Sequence, residues 1–192
     1  MKTQELLNIL EFIKEAEKLK SILRSGNTSL KRKESTAEHT WRLSLLTMIL
    51  SQHLPECDPL KLIHLTIVHD IGELDEGDIP AIEQMDEDKK YKIEENTVKR
   101  LRELLPNNQR KWFYDLWLEY EEGKTLESKV VKILDKIETI IQHNQVDNGS
   151  DFDYGFNLTY GRSLLEEELE DNGLLKDLRD IVDAMTKENV DK

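Results

Sequence analysis

The sequence predicts an all-α protein, on three observations. Only 8 glycines and 4 prolines punctuate its 192 residues. The alternating Val, Ile and Thr that mark strands are nearly absent. Apolar residues recur instead at helical spacing, between recognisable start and stop signals. A chain of this length can bury a sizeable core. No internal repeat or flexible linker divides it, so residues 1–192 are expected to form one domain.

Each element has its own justification. Leu6, Leu7, Leu10, Ile13, Ala16 and Leu19 trace one face of a first helix, which ends near the turn-rich "RSGNTS" at 24–29. Ser35 followed by Glu38 is a capping box, which puts His39 in the first turns of a second helix. Asp58-Pro59 reads as an N-cap with proline at the first helical position, starting a third helix that runs to about Asp70. Residues 74–86 read as an acidic loop, followed by helices near 87–105 and 107–121 around Leu105-Pro106-Asn107. "LESKVVKILDKIETIIQHN" is a strongly periodic helix of about five turns. The stretch "VDNGSDFDYGFNLTYG" is non-periodic, and acidic helices close the chain over about 160–187.

The net charge is -13, with 27 Lys and Arg against 40 Asp and Glu. This argues against a nucleic-acid polymer as partner, because phosphate backbones are held by cationic patches. A small phosphorylated ligand stays compatible, since a bound cation inverts the local sign. The single Cys57 gives no intramolecular disulfide and no cysteine-rich zinc site. No run of 18 apolar residues occurs and charges run through the first twenty residues, so neither a membrane span nor a signal peptide is expected. A cytoplasmic location follows as the expectation.

The stretch "HLTIVHDIGELDEGDIP" raises the chemical question. An apolar helix ends in His69-Asp70, and Glu73, Asp75, Glu76 and Asp78 follow within eight residues. Helix geometry sorts the five histidines. His64 lies about 140° around the axis from His69, His53 lies about 21 Å along its helix from His39, and His143 about 12 Å beyond Asp135. Those three are expected to be surface or packing residues. His39, His69, Asp70 and Asp135 lie on helices beside apolar neighbours, and Asp135 interrupts "VVKILDKI" at a core-like position. A buried carboxylate there needs a partner. A metal would serve, and so would an ion pair with Lys132 or Lys136.

Together, "STAEH", "LTIVHD" and "VKILDK" resemble the pattern of HD-domain phosphohydrolases, and the sequence "HDIGELDEGDIP" resembles the signature of their 5'-deoxyribonucleotidase branch. The likeness runs from about Leu19 to Ile141. It implies an HD-domain helical bundle in which His39, His69, Asp70 and Asp135 bind one divalent ion. Two imidazoles and two carboxylates suit Mn²⁺, Co²⁺, Zn²⁺, Fe²⁺ or Ni²⁺, with Mg²⁺ a further option. Branches with two metals need additional histidines, and none occurs between His69 and His143. The resemblance also implies that Glu73 assists proton transfer, Asp78 bonds a sugar hydroxyl, and Arg24 sits near phosphate and sugar. Lys132, one turn before Asp135, is expected beside the ion. Arg42 can be assigned there or to a salt bridge with Glu38 or another helix, and Asp75 and Glu76 to solvated loop.

The implied reaction is removal of the 5'-phosphate from a nucleoside monophosphate, by a homodimer. Its alternatives are hydrolysis of a nucleoside diphosphate or cyclic nucleotide on the same site, and a non-catalytic metal-binding scaffold. One departure stands out. Relatives place a tryptophan just after the arginine, against the sugar, whereas this chain has Ser25 and Asn27 there. Preference for deoxyribose over ribose is therefore not implied. Trp41, Trp112 and Trp117 are expected in the core, and Tyr154, Phe156 and Tyr160 as a cover on the bundle, the alternative being a stack on a base.

Overall fold

The computed structural model describes residues 2–78, 86–146, 148–149, 152–169 and 172–190. Helices dominate, as the sequence predicts. Among the described residues they are α1 (Thr3–Ala16), α2 (Thr36–Leu50), α3 (Pro59–Val68), α4 (Glu87–Arg102), α5 (Asn107–Glu122), α6 (Leu126–Asn144), α7 (Tyr154–Thr159), α8 (Arg162–Glu168) and α9 (Gly173–Val190). The caps are where the residues demand them. Ser35 Oγ accepts from the Glu38 amide, and Glu38 Oε2 accepts from the Ser35 amide at 2.9 Å. Asp58 Oδ1 accepts from the amides of Leu60 and Lys61 at 2.9 and 3.3 Å. α5 stops at Gly123, which has φ +61°, a conformation that glycine adopts without steric cost.

α6 is the axis of the bundle. It packs against α2, α3, α5, α8 and α9, and touches the segment that carries Arg24. Val130, Val131, Ile133, Leu134, Ile137 and Ile140 are buried on it, and they meet Leu43, Leu62, Leu65, Trp117 and Leu175 from its neighbours. Burying such side chains stabilises the fold by about 1.5–3 kcal/mol each. Its polar residues Asp135 and Glu138 are also buried, held in an apolar wall by charge partners described below.

Four expectations need correction. "RSGNTS" is not a plain turn: Leu23–Asn27 (β1) pairs antiparallel with Lys33–Ser35 (β2), a small sheet leading into α2. The apolar face of α1 is largely uncovered, with Leu6, Leu7, Leu10 and Ile13 exposed; Phe12 docks instead, edge-on to Phe113 at 5.0 Å. Trp117 is fully buried, but Trp41 and Trp112 are exposed on the outer faces of α2 and α5. The non-periodic stretch contains α7, started by Asp153, whose side chain accepts from the Phe156 amide at 3.0 Å. Ile79 and Pro80, which close the quoted motif, and the rest of the acidic loop to residue 85 lie outside the described residues.

Candidate metal centre

α2, the end of α3 and the middle of α6 bring the four expected ligands together. His39 Nε2 lies 3.0 Å from Asp135 Oδ1 and 3.7 Å from Asp70 Oδ2. His69 Nε2 lies 3.0 Å from Asp70 Oδ2 and 4.0 Å from Asp135 Oδ1. The two Nε2 atoms are 3.3 Å apart. Two imidazole nitrogens and two carboxylate oxygens therefore face one small space, while both histidines and Asp135 are buried.

The outer nitrogens explain why the inner ones are aimed. His69 Nδ1 donates to the Thr66 carbonyl at 2.7 Å, one turn back in α3. His39 Nδ1 meets Glu138 Oε2 at 2.5 Å. A proton fixed on each Nδ1 leaves the Nε2 lone pair directed inward, the tautomer that a metal requires. Arg42 Nε donates to Glu138 and Arg42 Nη2 to the Glu138 carbonyl at 3.1 Å, so Arg42 belongs to the ion pair with another helix. Glu38 pairs with Arg32 instead. Glu138 escaped the sequence reading. Its signal was the parallel spacing of His39 to Arg42 and Asp135 to Glu138, three residues each on neighbouring helices.

The charge balance of this space tests its fit for a cation. Burial and Arg24 both work against a charged His39, yet hydrogen bonds to Asp135 and Glu138 outweigh them and hold its pKa up at about 10. Burial likewise opposes charge on Asp70, but His69, Arg24 and His39 keep it ionised far below the usual carboxylate range. The cage draws in positive charge, and a proton on His39 is the smallest way to supply it. Nitrogen and carboxylate donors together suit a borderline divalent ion, so the residues fit a metal.

Around this cluster opens a cavity of about 1450 Å³ whose walls include Arg24, Asp70, Glu73, Asp78, Lys132 and Asp135. Arg24 Nη1 lies 3.4 Å from Asp70 Oδ2 and 3.4 Å from Asp78 Oδ1, and Nη2 donates to Thr139 Oγ1 at 3.3 Å. Burial opposes its charge, but Asp70, Asp78, Asp135 and Glu73 hold it protonated. α3 ends at Val68, so Glu73 does not continue an α-helical face; a 3-10 turn over Ile71–Leu74 turns it into the cavity. There it is 4% exposed and accepts from Thr36 Oγ1 at 3.2 Å. Burial, then repulsion from Asp70 and Asp78, raises its pKa well above 4.5, and the Asp78 carboxyl is raised by burial as well.

The lysines divide the two possibilities left open for Asp135. Lys136 Nζ lies 3.3 Å from Asp135 Oδ2, while Oδ1 faces the histidines, so the carboxylate serves both directions. Lys132 lines the cavity over the Tyr120 ring, 4.5 Å from its centroid. Burial lowers its pKa, and Glu121 partly offsets that. Asp75 is exposed but paired: Arg100 holds it at 2.6 Å and Thr97 Oγ1 donates to it at 3.1 Å, tying the turn after the motif to α4.

Gly72 makes that closeness possible, because a Cβ there would fall 2.7 Å from Glu94 Cβ. Burial raises the Glu94 carboxyl to about 7 despite Lys90 at 3.3 Å. The folded state thus holds this proton more tightly than the unfolded chain. The resulting stability is complete below pH 4.5 and is lost as pH rises through 7. Glu94→Gln is therefore expected to stabilise the protein at pH 8 by up to about 3 kcal/mol and to flatten the loss between pH 5 and 8. Urea unfolding at the two pH values reads this directly.

Comparison with known proteins agrees with the geometry. The HD domain family matches residues 16–171. The 5'-deoxynucleotidase HDDC2 of Dictyostelium discoideum is 34% identical over 143 residues, covering 70% of this chain and 75% of that protein. The human 5'-deoxynucleotidase HDDC2 is 32% identical over 143 residues, covering 73% and 69%. The crystal structure of a predicted metal-dependent phosphohydrolase from Magnetospirillum magnetotacticum MS-1 superposes with a TM-score of 0.78 at 25% identity, covering 97% and 96% of the two chains. The cluster of His39, His69 and Asp70, with Asp135 against His39, thus sits in a chain that belongs to the HD-domain family.

Proposed function

We propose that this protein is a single-domain, metal-dependent phosphohydrolase that releases the 5'-phosphate of nucleoside monophosphates. The observation that carries the reading is the convergence of His39, His69, Asp70 and Asp135 on one space beside the buried Glu73 carboxyl and the half-buried Arg24 guanidinium. The 5'-deoxynucleotidase relatives support the choice of substrate. One divalent ion, of the group Mn²⁺, Co²⁺, Zn²⁺, Fe²⁺, Ni²⁺ or Mg²⁺, would be held by those four side chains; when bound it supplies Lewis acidity and neutralises phosphate charge.

The protein groups divide the remaining work. Glu73 keeps its proton because it is buried between Asp70 and Asp78, so it is suited to protonate the leaving 5'-oxygen. Water oxygen bonds to phosphorus, the bond from phosphorus to the 5'-oxygen breaks, and the products are a nucleoside and inorganic phosphate. Arg24, tied to Asp70 and Asp78, holds the phosphate and sugar, and Asp78 accepts from a sugar hydroxyl. Lys132 adds positive charge to the phosphate side. The exposed stripe Trp41, Leu45, Met48 and Ile49 on α2 supports a homodimer, and a cytoplasmic location accords with the absence, among the described residues, of a helix long and apolar enough to cross a membrane.

A substrate panel tests the reading. With Mn²⁺ or Co²⁺, phosphate release is expected from dAMP and AMP and not from cyclic AMP or ADP. Release from ADP or cyclic AMP alone would transfer the site to a different phosphate ester, and release from none would sink the nucleotidase assignment.

A further inference from the structure

We propose that Phe156, backed by Tyr160, is the platform on which the nucleobase stacks, so that the segment after α6 gives this site its preference for base-bearing substrates. This rests on the nucleotidase reading and adds the surface that would recognise the base. Phe156 and Tyr160 lie one turn apart on and just beyond α7. Their rings are 5.3 Å apart and inclined by 27°, nearly parallel, and both line the cavity that contains Arg24, Asp70 and Asp135.

Position links this pair to the ligand cluster. Lys136 Nζ lies 3.3 Å from Asp135 Oδ2 and 5.1 Å from the centre of the Tyr160 ring. One lysine therefore spans from a proposed ligand to the aromatic pair. The other rings of the cavity are engaged elsewhere. Tyr91 stacks on Trp117 at 5.5 Å, Tyr120 meets His69 and lies under Lys132, and Phe152 is edge-on to His143 at 4.8 Å. Among the described residues, Phe156 has no ring contact besides Tyr160, and it lines the cavity only partly buried.

The platform is braced from behind. Like any α-helix, α7 leaves its last carbonyls without partners inside the helix. Arg179 on α9, 2% exposed, supplies them: it donates to the carbonyls of Tyr160 at 2.6 Å, Asn157 at 2.8 Å and Leu158 at 3.2 Å. Asp183 holds that guanidinium at 2.7 Å. Asn157, 1% exposed, bonds His143 Nδ1 at 3.1 Å and so fastens α7 to α6. A segment fixed this firmly presents its rings in one orientation, which lowers the entropy lost on stacking. Ser25, beside Arg24 in the cavity wall, adds no ring. The aromatic contact with the nucleoside comes from the C-terminal segment instead.

The test compares dAMP with 2-deoxyribose 5-phosphate, which has the same phosphate and sugar but no base. Phe156→Ala is expected to raise KM for dAMP roughly 5- to 150-fold, the range of one base–aromatic stack. Phe156→Leu keeps apolar bulk without a π-face, and it is expected to raise KM for dAMP as well. Neither variant should change kcat/KM for the abasic phosphate. An unchanged KM for dAMP, or an equal loss on both substrates, overturns the proposal while leaving the nucleotidase reading intact. If the wild-type protein cleaves neither compound, that reading fails and the platform with it.

Discussion

Asp70→Ala is expected to abolish phosphate release and divalent-metal binding at the proposed site. Asp70 Oδ2 is 3.0 Å from His69 Nε2, 3.7 Å from His39 Nε2 and 3.4 Å from Arg24 Nη1, so it couples the proposed ligands to the proposed phosphate-binding arginine. Removing it takes away one of the two carboxylates proposed as ligands and releases Arg24 from one of its two ion pairs. A fall in kcat/KM of at least about 1,000-fold follows, corresponding to about 4 kcal/mol of transition-state stabilisation. The helices themselves should persist, because Asp70, at the N-cap of the 3-10 turn, makes no side-chain capping bond and lies outside the apolar core. Far-ultraviolet circular dichroism close to that of wild type, together with lost metal in elemental analysis, separates this outcome from unfolding. Unchanged metal content and activity would remove Asp70 from the site.

The second large effect is expected at Glu73. Glu73→Gln keeps the shape and can keep the acceptor for Thr36 Oγ1, now 3.2 Å away, but it cannot exchange a proton. Loss of a general acid or base lowers kcat by about 100- to 10,000-fold. KM and metal content should hardly move, because Glu73 is not among the four converging ligand groups. The contrast matters: Asp70→Ala loses metal and rate together, whereas Glu73→Gln loses rate alone. A Glu73→Gln enzyme with wild-type kcat would leave its buried, proton-retaining carboxyl without a part in the reaction.

Local chemistry made much of the fold legible. Ser35 with Glu38, and Asp58 with Pro59, act through hydrogen bonds within three residues, so the helix starts follow from the sequence. The periodic segment from Leu126 to Asn144 is helical over its full length for the same reason. Burial is a different matter, because it depends on what arrives from elsewhere in the chain. Nothing within α1 or α2 tells that Leu10 or Trp41 lacks a covering neighbour, and nothing within "RSGNTS" tells that Lys33–Ser35 will pair with it.

The candidate site divides along the same line. Spacing alone left Asp135 between a metal and a lysine, and the structure gives one oxygen to each side. The resemblance singled out His39, His69, Asp70 and Asp135 as a set; His39, His69 and Asp70 form one compact cluster, and Asp135 reaches it through His39 at 3.0 Å. It gave no weight to Glu138 or Lys136, because their roles arise from the crossing of α2, α6 and the C-terminal segment rather than from a motif. Phe156 follows the same rule: the sequence favours a cover on the bundle, and only the arrival of α7 beside α6 puts its ring in the cavity wall.

The central claim is that these four side chains bind one divalent ion. Crystals grown with Mn²⁺ and measured for anomalous scattering test it most directly. The account predicts one strong peak per chain, bounded by His39 Nε2, His69 Nε2 and carboxylate oxygens of Asp70 and Asp135. A peak held only by the exposed acidic residues, or no peak between the two imidazoles, would contradict it.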